Sequence, residues 1–266
     1  MTRSLLVGNW KMNCGPGEAR SLAQSVKEVA TSLKQTSVWI TPPLISIPAV
    51  AEIVRGTDIR LGSQNVHWAP SGAFTGEVSV QMLQEEACTF ALVGHSERRA
   101  VFGETPNLVA QRALGALKSD FTTVFCVGET LKEREDGRTK EVLRSQFLPF
   151  CVASLSASMA DRVVIAYEPV WAIGTGKVAT ASQIEDAVQD VSSLWKELTP
   201  HALPRILYGG SVDPLNCKSI LEVKGVGGCL IGGASINIQK LKEIITVAES
   251  LVTVLQPHSV SVQNLT

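Results

Sequence analysis

The chain has 266 residues, of which 45% are hydrophobic and 18% charged, with a formal net charge of -1. A single α/β barrel needs about 250 residues, so this length and composition suit one domain with a sizeable core and exclude disorder for the bulk of the chain. The near-neutral charge supplies no field for nucleic acid or an anionic membrane, though local basic positions can still bind a small anion.

The N-terminal run Ser4-Leu5-Leu6-Val7-Gly8 is too short for a signal peptide. No apolar stretch reaches the roughly 18 residues of a spanning helix. Cys14, Cys88, Cys126, Cys151, Cys217 and Cys229 are widely spaced without a C-x-x-C pair, the pattern of buried thiols in a reducing compartment. These features predict a soluble, cytoplasmic protein.

Short apolar runs at 5–8, 38–40, 59–61, 90–93, 122–127, 163–167, 206–208 and 229–231 read as strands. They are continuous rather than alternating, as strands covered on both faces should be. Helical periodicity lies between most of them. Leu22, Val26, Val29 and Leu33 form one stripe, and Ile184, Ala187, Val188, Val191, Leu194, Trp195 and Leu198 form the clearest. Ile238, Leu241, Ile245 and Ala248 form the last. Eight such units predict a single-domain α/β fold, a closed (β/α)8 barrel over residues 1–257, followed by a polar tail at 258–266. A doubly wound open sheet is the alternative, but no G-x-G-x-x-G follows the first strand.

In barrel enzymes the chemistry sits on loops at the carboxyl ends of the strands. The first strand leads into Asn9-Trp10-Lys11-Met12-Asn13, an amide and an ammonium on one rim. After the third strand, the segment Asn65 to Glu77 is long for its type and carries Trp68 and Phe74, so it either folds back on its own barrel or enters a socket elsewhere. The fourth strand ends in Gly94-His95-Ser96-Glu97-Arg98-Arg99, where the imidazole opens a helix whose N–H groups would disfavour its charged form and hold it neutral. The charge run from Lys132 to Lys140 reads as a solvated face or turn.

The sixth strand closes on Glu168, because Pro169 cannot donate to a ladder. Residues 170–179 then form an apolar loop with Trp171, Ile173, Gly174 and Gly176, which resembles a lid. Ser182-Gln183-Ile184-Glu185 reads as the capping box of the next helix. The seventh strand leads to Gly209-Gly210-Ser211, and the eighth to Gly232-Gly233-Ala234-Ser235. Without Cβ atoms, such turns let backbone N–H groups close on an oxyanion. Taken singly, a rim lysine, a lone histidine, a strand-ending glutamate and each glycine pair are equally compatible with structural roles.

Together these segments resemble the triosephosphate isomerase family over nearly the whole chain, most specifically in the stretch from Glu168 to Lys177. That family is the reference case for a neutral imidazole beside a carboxylate base and for a closing lid, so these roles come with the resemblance. It implies an isomerase that interconverts dihydroxyacetone phosphate and D-glyceraldehyde 3-phosphate through an enediolate, in glycolysis and gluconeogenesis, with no metal or organic cofactor. Glu168 would be the base, since a carboxylate in an apolar pocket gains basicity as water leaves. His95 would polarise the carbonyl, and Lys11, helped by Asn9 and supported by Glu97, would stabilise developing negative charge. Backbone groups of Gly174, Ser211, Gly232 and Gly233 would hold the substrate phosphate.

Lid closure would hinge at Pro169-Val170-Trp171 and Lys177-Val178-Ala179. Thr75 would enter the partner of a homodimer. Gly227-Gly228-Cys229 and the tail depart from the family pattern. The competing readings are a phosphate-holding aldolase or sugar-phosphate epimerase, and a barrel kept as a scaffold.

Overall fold

The computed structural model describes residues 3–153, 155–174 and 177–251. Its elements run β1 (Ser4–Asn9), α1 (Pro16–Ala30), β2 (Thr36–Thr41), α2 (Ile47–Val54), β3 (Arg60–Ser63), α3 (Val80–Glu85), β4 (Phe90–Val93), α4 (Ser96–Ala100), α5 (Pro106–Lys118) and β5 (Thr122–Val127). The chain continues through α6 (Leu131–Glu135), α7 (Thr139–Cys151), α8 (Ala157–Ala160), β6 (Val163–Tyr167), α9 (Ala181–Leu198), β7 (Arg205–Tyr208), α10 (Cys217–Leu221), β8 (Val226–Ile231) and α11 (Ile238–Ser250). The eight strands are parallel and close in chain order, with β1 paired to both β2 and β8. The fold is the expected single-domain (β/α)8 barrel.

The continuous apolar runs are explained by two cores on either side of one sheet. Leu5, Val7, Leu92, Val124, Ala166 and Leu207 fill the barrel interior. Their alternating neighbours Leu6, Val93, Phe125 and Ile165 pack outward against the helices, as the period of two along a strand requires. On α9, Ile184, Ala187, Val188, Val191, Leu194 and Trp195 are buried as the periodicity predicts.

Several element boundaries differ from the sequence expectations, β2 for one running from Thr36 to Thr41. The third strand begins at Arg60 rather than residue 59 and runs on to Ser63. The eighth begins three residues earlier, at Val226, with an irregular register against β7. The capping box of α9 is made by Thr180 and Gln183, not by Ser182 and Glu185. An N-cap needs a non-helical backbone, and Thr180 is extended (φ -68°, ψ 158°) while Ser182 already lies inside the helix.

The charge run supplies α6, capped by Thr130 and Glu133, and an exposed Lys132–Asp136 pair one turn apart. All six cysteines are free thiols; five are buried and Cys14 is half-buried. Burial pushes the Cys88 and Cys151 thiols up to about 12, which keeps them protonated and unreactive at neutral pH. Among the described residues, no helix is long and apolar enough to cross a membrane. The tail at 258–266, and with it the boundary at 257, lies outside the described residues.

Candidate active site

The carboxyl ends of the strands surround a cavity of about 310 Å³ lined by Asn9, Lys11, His95, Glu168, Gly174, Ser211, Gly232 and Gly233 among others. Every residue expected from the sequence to touch substrate therefore reaches one place, from segments that follow β1, β4, β6, β7 and β8. Of the remaining expected site residues, Glu97 joins through Lys11, and Thr75 lies elsewhere.

Asn9 ends β1 and is buried. Its side-chain oxygen accepts the N–H of Lys11 at 3.0 Å, and Gln64 donates to the Lys11 carbonyl at 2.7 Å. These bonds hold Lys11 in the left-handed region (φ 53°), a conformation that costs of order 1–3 kcal/mol for a residue with a Cβ. The Lys11 ammonium donates to the Glu97 carboxylate in a partly exposed ion pair. Glu97 thus meets the lysine 86 residues away, as the family resemblance implies.

His95 caps α4, and its Nδ1 accepts the N–H of Glu97 at 3.3 Å. That nitrogen therefore carries a lone pair, and a proton on it would confront the N–H. The other nitrogen, Nε2, lies 3.0 Å from Glu168 Oε1. Burial acts to lower the His95 pKa, but the adjacent carboxylate of Glu168 and the charge of Glu97 outweigh it, so the net direction is upward from 6.5. The sequence expectation of a depressed histidine is corrected here. It counted the helix N–H groups and omitted a carboxylate resting against the ring.

Glu168 follows β6 and is 1% exposed. Its Oε2 accepts the Ser96 N–H at 2.8 Å. Its Oε1 is buried and lacks an aligned hydrogen-bond donor, with His95 Nε2 3.0 Å away. Gly209 leaves the space this side chain occupies, since a Cβ there would come within 2.9 Å of Glu168 Cγ.

The lid begins in a 3-10 turn, Val170–Ala172. Its Trp171 indole donates to Glu129 Oε1 at 3.1 Å, an oxygen that also accepts from Tyr167 (2.9 Å) and Arg134 (3.2 Å). Gly174 is exposed with φ 68°. Thr175 and Gly176, central to the lid expectation, lie outside the described residues. Of the second hinge segment, Lys177 and Val178 are exposed and Ala179 is buried.

Gly233–Ile236 forms a one-turn 3-10 helix after β8, and the first N–H groups of such a turn have no partner within it. Asp213 and Lys240 also line the cavity and were not anticipated. Lys240 lies in the first turn of α11, where nothing local in the sequence marks it.

Thr75 lies in the segment between β3 and α3 and is exposed. Arg112 ties the base of this segment to the barrel, donating to Val66 O (2.8 Å) and Glu77 (2.6 Å). Within it, His67 stacks on Trp68 at 3.8 Å and contacts Phe74 at 4.0 Å. The base is thus fixed to its own barrel while the tip faces outward.

The family model described as triosephosphate isomerase matches residues 4–248. The chain is similar to the triosephosphate isomerase of Carboxydothermus hydrogenoformans, with 43% identity over 92% of this chain and 98% of that one. It is also similar to that of Magnetococcus marinus, at 44% over 89% and 95%, and to that of Endomicrobium trichonymphae, at 38% over 92% and 98%. With the barrel and its rim, these matches lead to one conclusion: the chain belongs to the triosephosphate isomerase family.

Proposed function

We propose that this cavity interconverts dihydroxyacetone phosphate and D-glyceraldehyde 3-phosphate, with Glu168 as the base, His95 and Lys11 as the groups that act on the substrate oxygens, and backbone donors at the glycine turns as the phosphate grip. The reaction moves a proton between adjacent carbons. It needs a base that can reach both carbons, and stabilisation for negative charge on the oxygens between them. The observation that carries the reading is the state of Glu168. One oxygen is held by the Ser96 N–H, and the other is buried, without an aligned donor, 3.0 Å from His95 Nε2.

When substrate enters, Glu168 exchanges the Ser96 contact for the substrate carbon and takes its proton. With Nδ1 accepting from Glu97, the ring proton sits on Nε2, which donates to the substrate carbonyl oxygen as charge builds there. Lys11, fixed by Asn9 and steered by Glu97, adds its positive charge to the same oxygens. Returning the proton to the neighbouring carbon completes the isomerisation without metal or organic cofactor. Gly174, Ser211, Gly232 and Gly233 hold the phosphate, so binding energy from the non-reacting end orients the reacting one. Closure of the lid excludes water and disfavours loss of phosphate from the enediolate.

The same reading makes the protein a cytoplasmic homodimer in which Thr75 enters the partner. It is supported by an outward-facing loop tip and by the family's glycolytic role. A coupled assay of ketose to aldose conversion, comparing wild type with Glu168→Asp, tests the base. Retracting the carboxylate by about 1 Å costs on the order of a hundredfold in rate, and equal rates would remove Glu168 from the role.

A further inference from the structure

The amino-terminal mouth of the barrel holds a second polar cavity, of about 550 Å³. β3 and β7 lie on opposite walls of the closed sheet, and each starts with an arginine. Arg205 precedes interior Leu207 by two residues, so its side chain also enters the barrel. The Arg60 guanidinium lies 4.1 Å over the ring of Trp39, another interior residue. Both arginines line the one cavity, with Arg162 beside them.

Among the described residues, Arg60 and Arg205 lack a counter-charge. Arg60 donates to neutral acceptors: the hydroxyl and carbonyl of Thr89 and the hydroxyl of Thr122. The Arg205 side chain has neither hydrogen bond nor ion pair among the described residues, and its stem packs where a Cβ on Gly227 would stand, 2.6 Å from Cγ. Arg162 is bound to Asp120 at 3.0 Å and to the Leu117 carbonyl. Asp58 and Asp161 line the cavity too, but both are exposed and neither is ion-paired with Arg60 or Arg205. Burial lowers the pKa of both guanidinium groups, and no anionic neighbour offsets it.

A partly buried cation without a partner is unfavourable, and two of them sharing one cavity repel each other. A planar guanidinium fork is matched to oxyanions. We infer that the amino-terminal mouth of the barrel is a binding site for a small multivalent oxyanion, held between the guanidinium groups of Arg60 and Arg205. The Thr122 hydroxyl, which accepts from Arg60, keeps its own proton to donate to the guest. Asp58 and Asp161 weaken the field, which selects anions of higher charge over chloride. Trp39, Leu5 and Val164 form an apolar wall that accommodates a carbon skeleton attached to the anion. The site lies at the end of the barrel away from the catalytic cavity, so both can be filled at once.

Calorimetric titration of wild type and Arg205→Gln with pyrophosphate tests this. Wild type should bind one molar equivalent more than Arg205→Gln, while the turnover number and any competitive inhibition by pyrophosphate are the same in both, because the catalytic cavity is untouched. Arg60→Gln should weaken the additional equivalent at least tenfold. Parallel titrations with citrate separate phosphoryl from carboxylate ligands, and binding of either supports the site. Equal stoichiometry in wild type and Arg205→Gln overturns it. A readout that needs no variant is phenylglyoxal labelling of wild type followed by peptide mass spectrometry. Pyrophosphate should slow modification of Arg205 several-fold, and an unchanged rate overturns the proposal.

Discussion

The indole of Trp171 donates a hydrogen bond to the fully buried carboxylate of Glu129 across 3.1 Å. This ties the first turn of the lid to the loop after β5. Arg134 also stacks over the Trp171 ring, 5.4 Å from its centre, so the hinge has a defined resting position. Trp171→Phe keeps an aromatic side chain, though a smaller one, and removes the indole donor, worth about 1 kcal/mol. The expected result is a kcat/KM several-fold lower with a nearly unchanged melting temperature, measured by steady-state kinetics and thermal melts. Glu129→Ala should behave differently, because it leaves Tyr167, Trp171 and Arg134 without their shared acceptor. A destabilisation of about 3 kcal/mol or more is expected, read by urea unfolding.

Two glycines frame Glu168, and they predict separable effects. A Cβ on Gly209 would press on the Glu168 side chain at 2.9 Å, whereas a Cβ on Gly128 would stand 1.7 Å from the Glu168 carbonyl oxygen. Gly209→Ala should shift the carboxylate and lower kcat by ten- to a hundredfold, roughly what a displacement approaching 1 Å costs, in a protein that melts close to wild type. Gly128→Ala forces the backbone itself to move and should lose about 1–3 kcal/mol of stability. A Gly209→Ala enzyme with full turnover would show that the carboxylate position is not constrained from this side.

Lys11 is held by its backbone in a left-handed turn, and among the described residues its side chain pairs with Glu97 at the rim. Lys11→Met preserves length and removes the charge. It should fold normally, as seen by circular dichroism, yet lose activity by at least a hundredfold, the scale of removing one group that stabilises a developing oxyanion. An unfolded variant would mark the lysine as structural.

The contact between His95 and Glu168 makes stability depend on pH in a stated direction. Burial lowers the histidine pKa, but the charges of Glu168 and Glu97 raise it on balance above 6.5. A group that holds its proton more tightly folded than unfolded stabilises the fold fully below the unfolded value, and the contribution fades as pH rises through the folded value. The stability difference between wild type and His95→Gln should therefore be largest below about pH 6 and shrink through neutrality. Urea melts from about pH 5.5 to 8.5 would check this. A difference that grew with pH would contradict the ion-pair contact.

Lys11, His95 and Glu168 were legible as rim residues because each follows an apolar run that reads as a strand, and strand ends in a closed barrel share one rim; the roles expected of them came with the family resemblance. The α9 cap was misplaced because Thr180-Ala181-Ser182-Gln183 and Ser182-Gln183-Ile184-Glu185 both spell a capping box, and the backbone at Thr180 decides between them. Contacts that depend on the path of the chain in space left no local trace. Ser96 and Glu168 meet across 72 residues, and Asp213 and Lys240 reach the cavity only through the course of the segments after β7 and β8. The unpartnered Arg205 was equally hidden, since an arginine opening a strand reads as solvated until the barrel closes around it.

The loop between β3 and α3 bears on assembly. Its base is fixed by Arg112 and by the packing of Trp68 on α5, where a Cβ on Gly115 would come within 2.5 Å of the Trp68 backbone. Its tip carries Phe74, 40% exposed, and exposed Thr75. A rigid base with an apolar tip facing outward suits insertion into a second copy of the chain, and Thr75→Arg adds a long charged side chain without touching any anchor. The circular-dichroism spectrum should therefore persist while sedimentation velocity shifts from dimer to monomer. Loss of a central contact at a protein interface costs about 2 kcal/mol or more, which weakens association by roughly thirtyfold. Activity should become concentration-dependent in the variant, recovering as protein is raised. A wild-type protein that sediments as a monomer at full turnover would assign the loop to its own barrel instead.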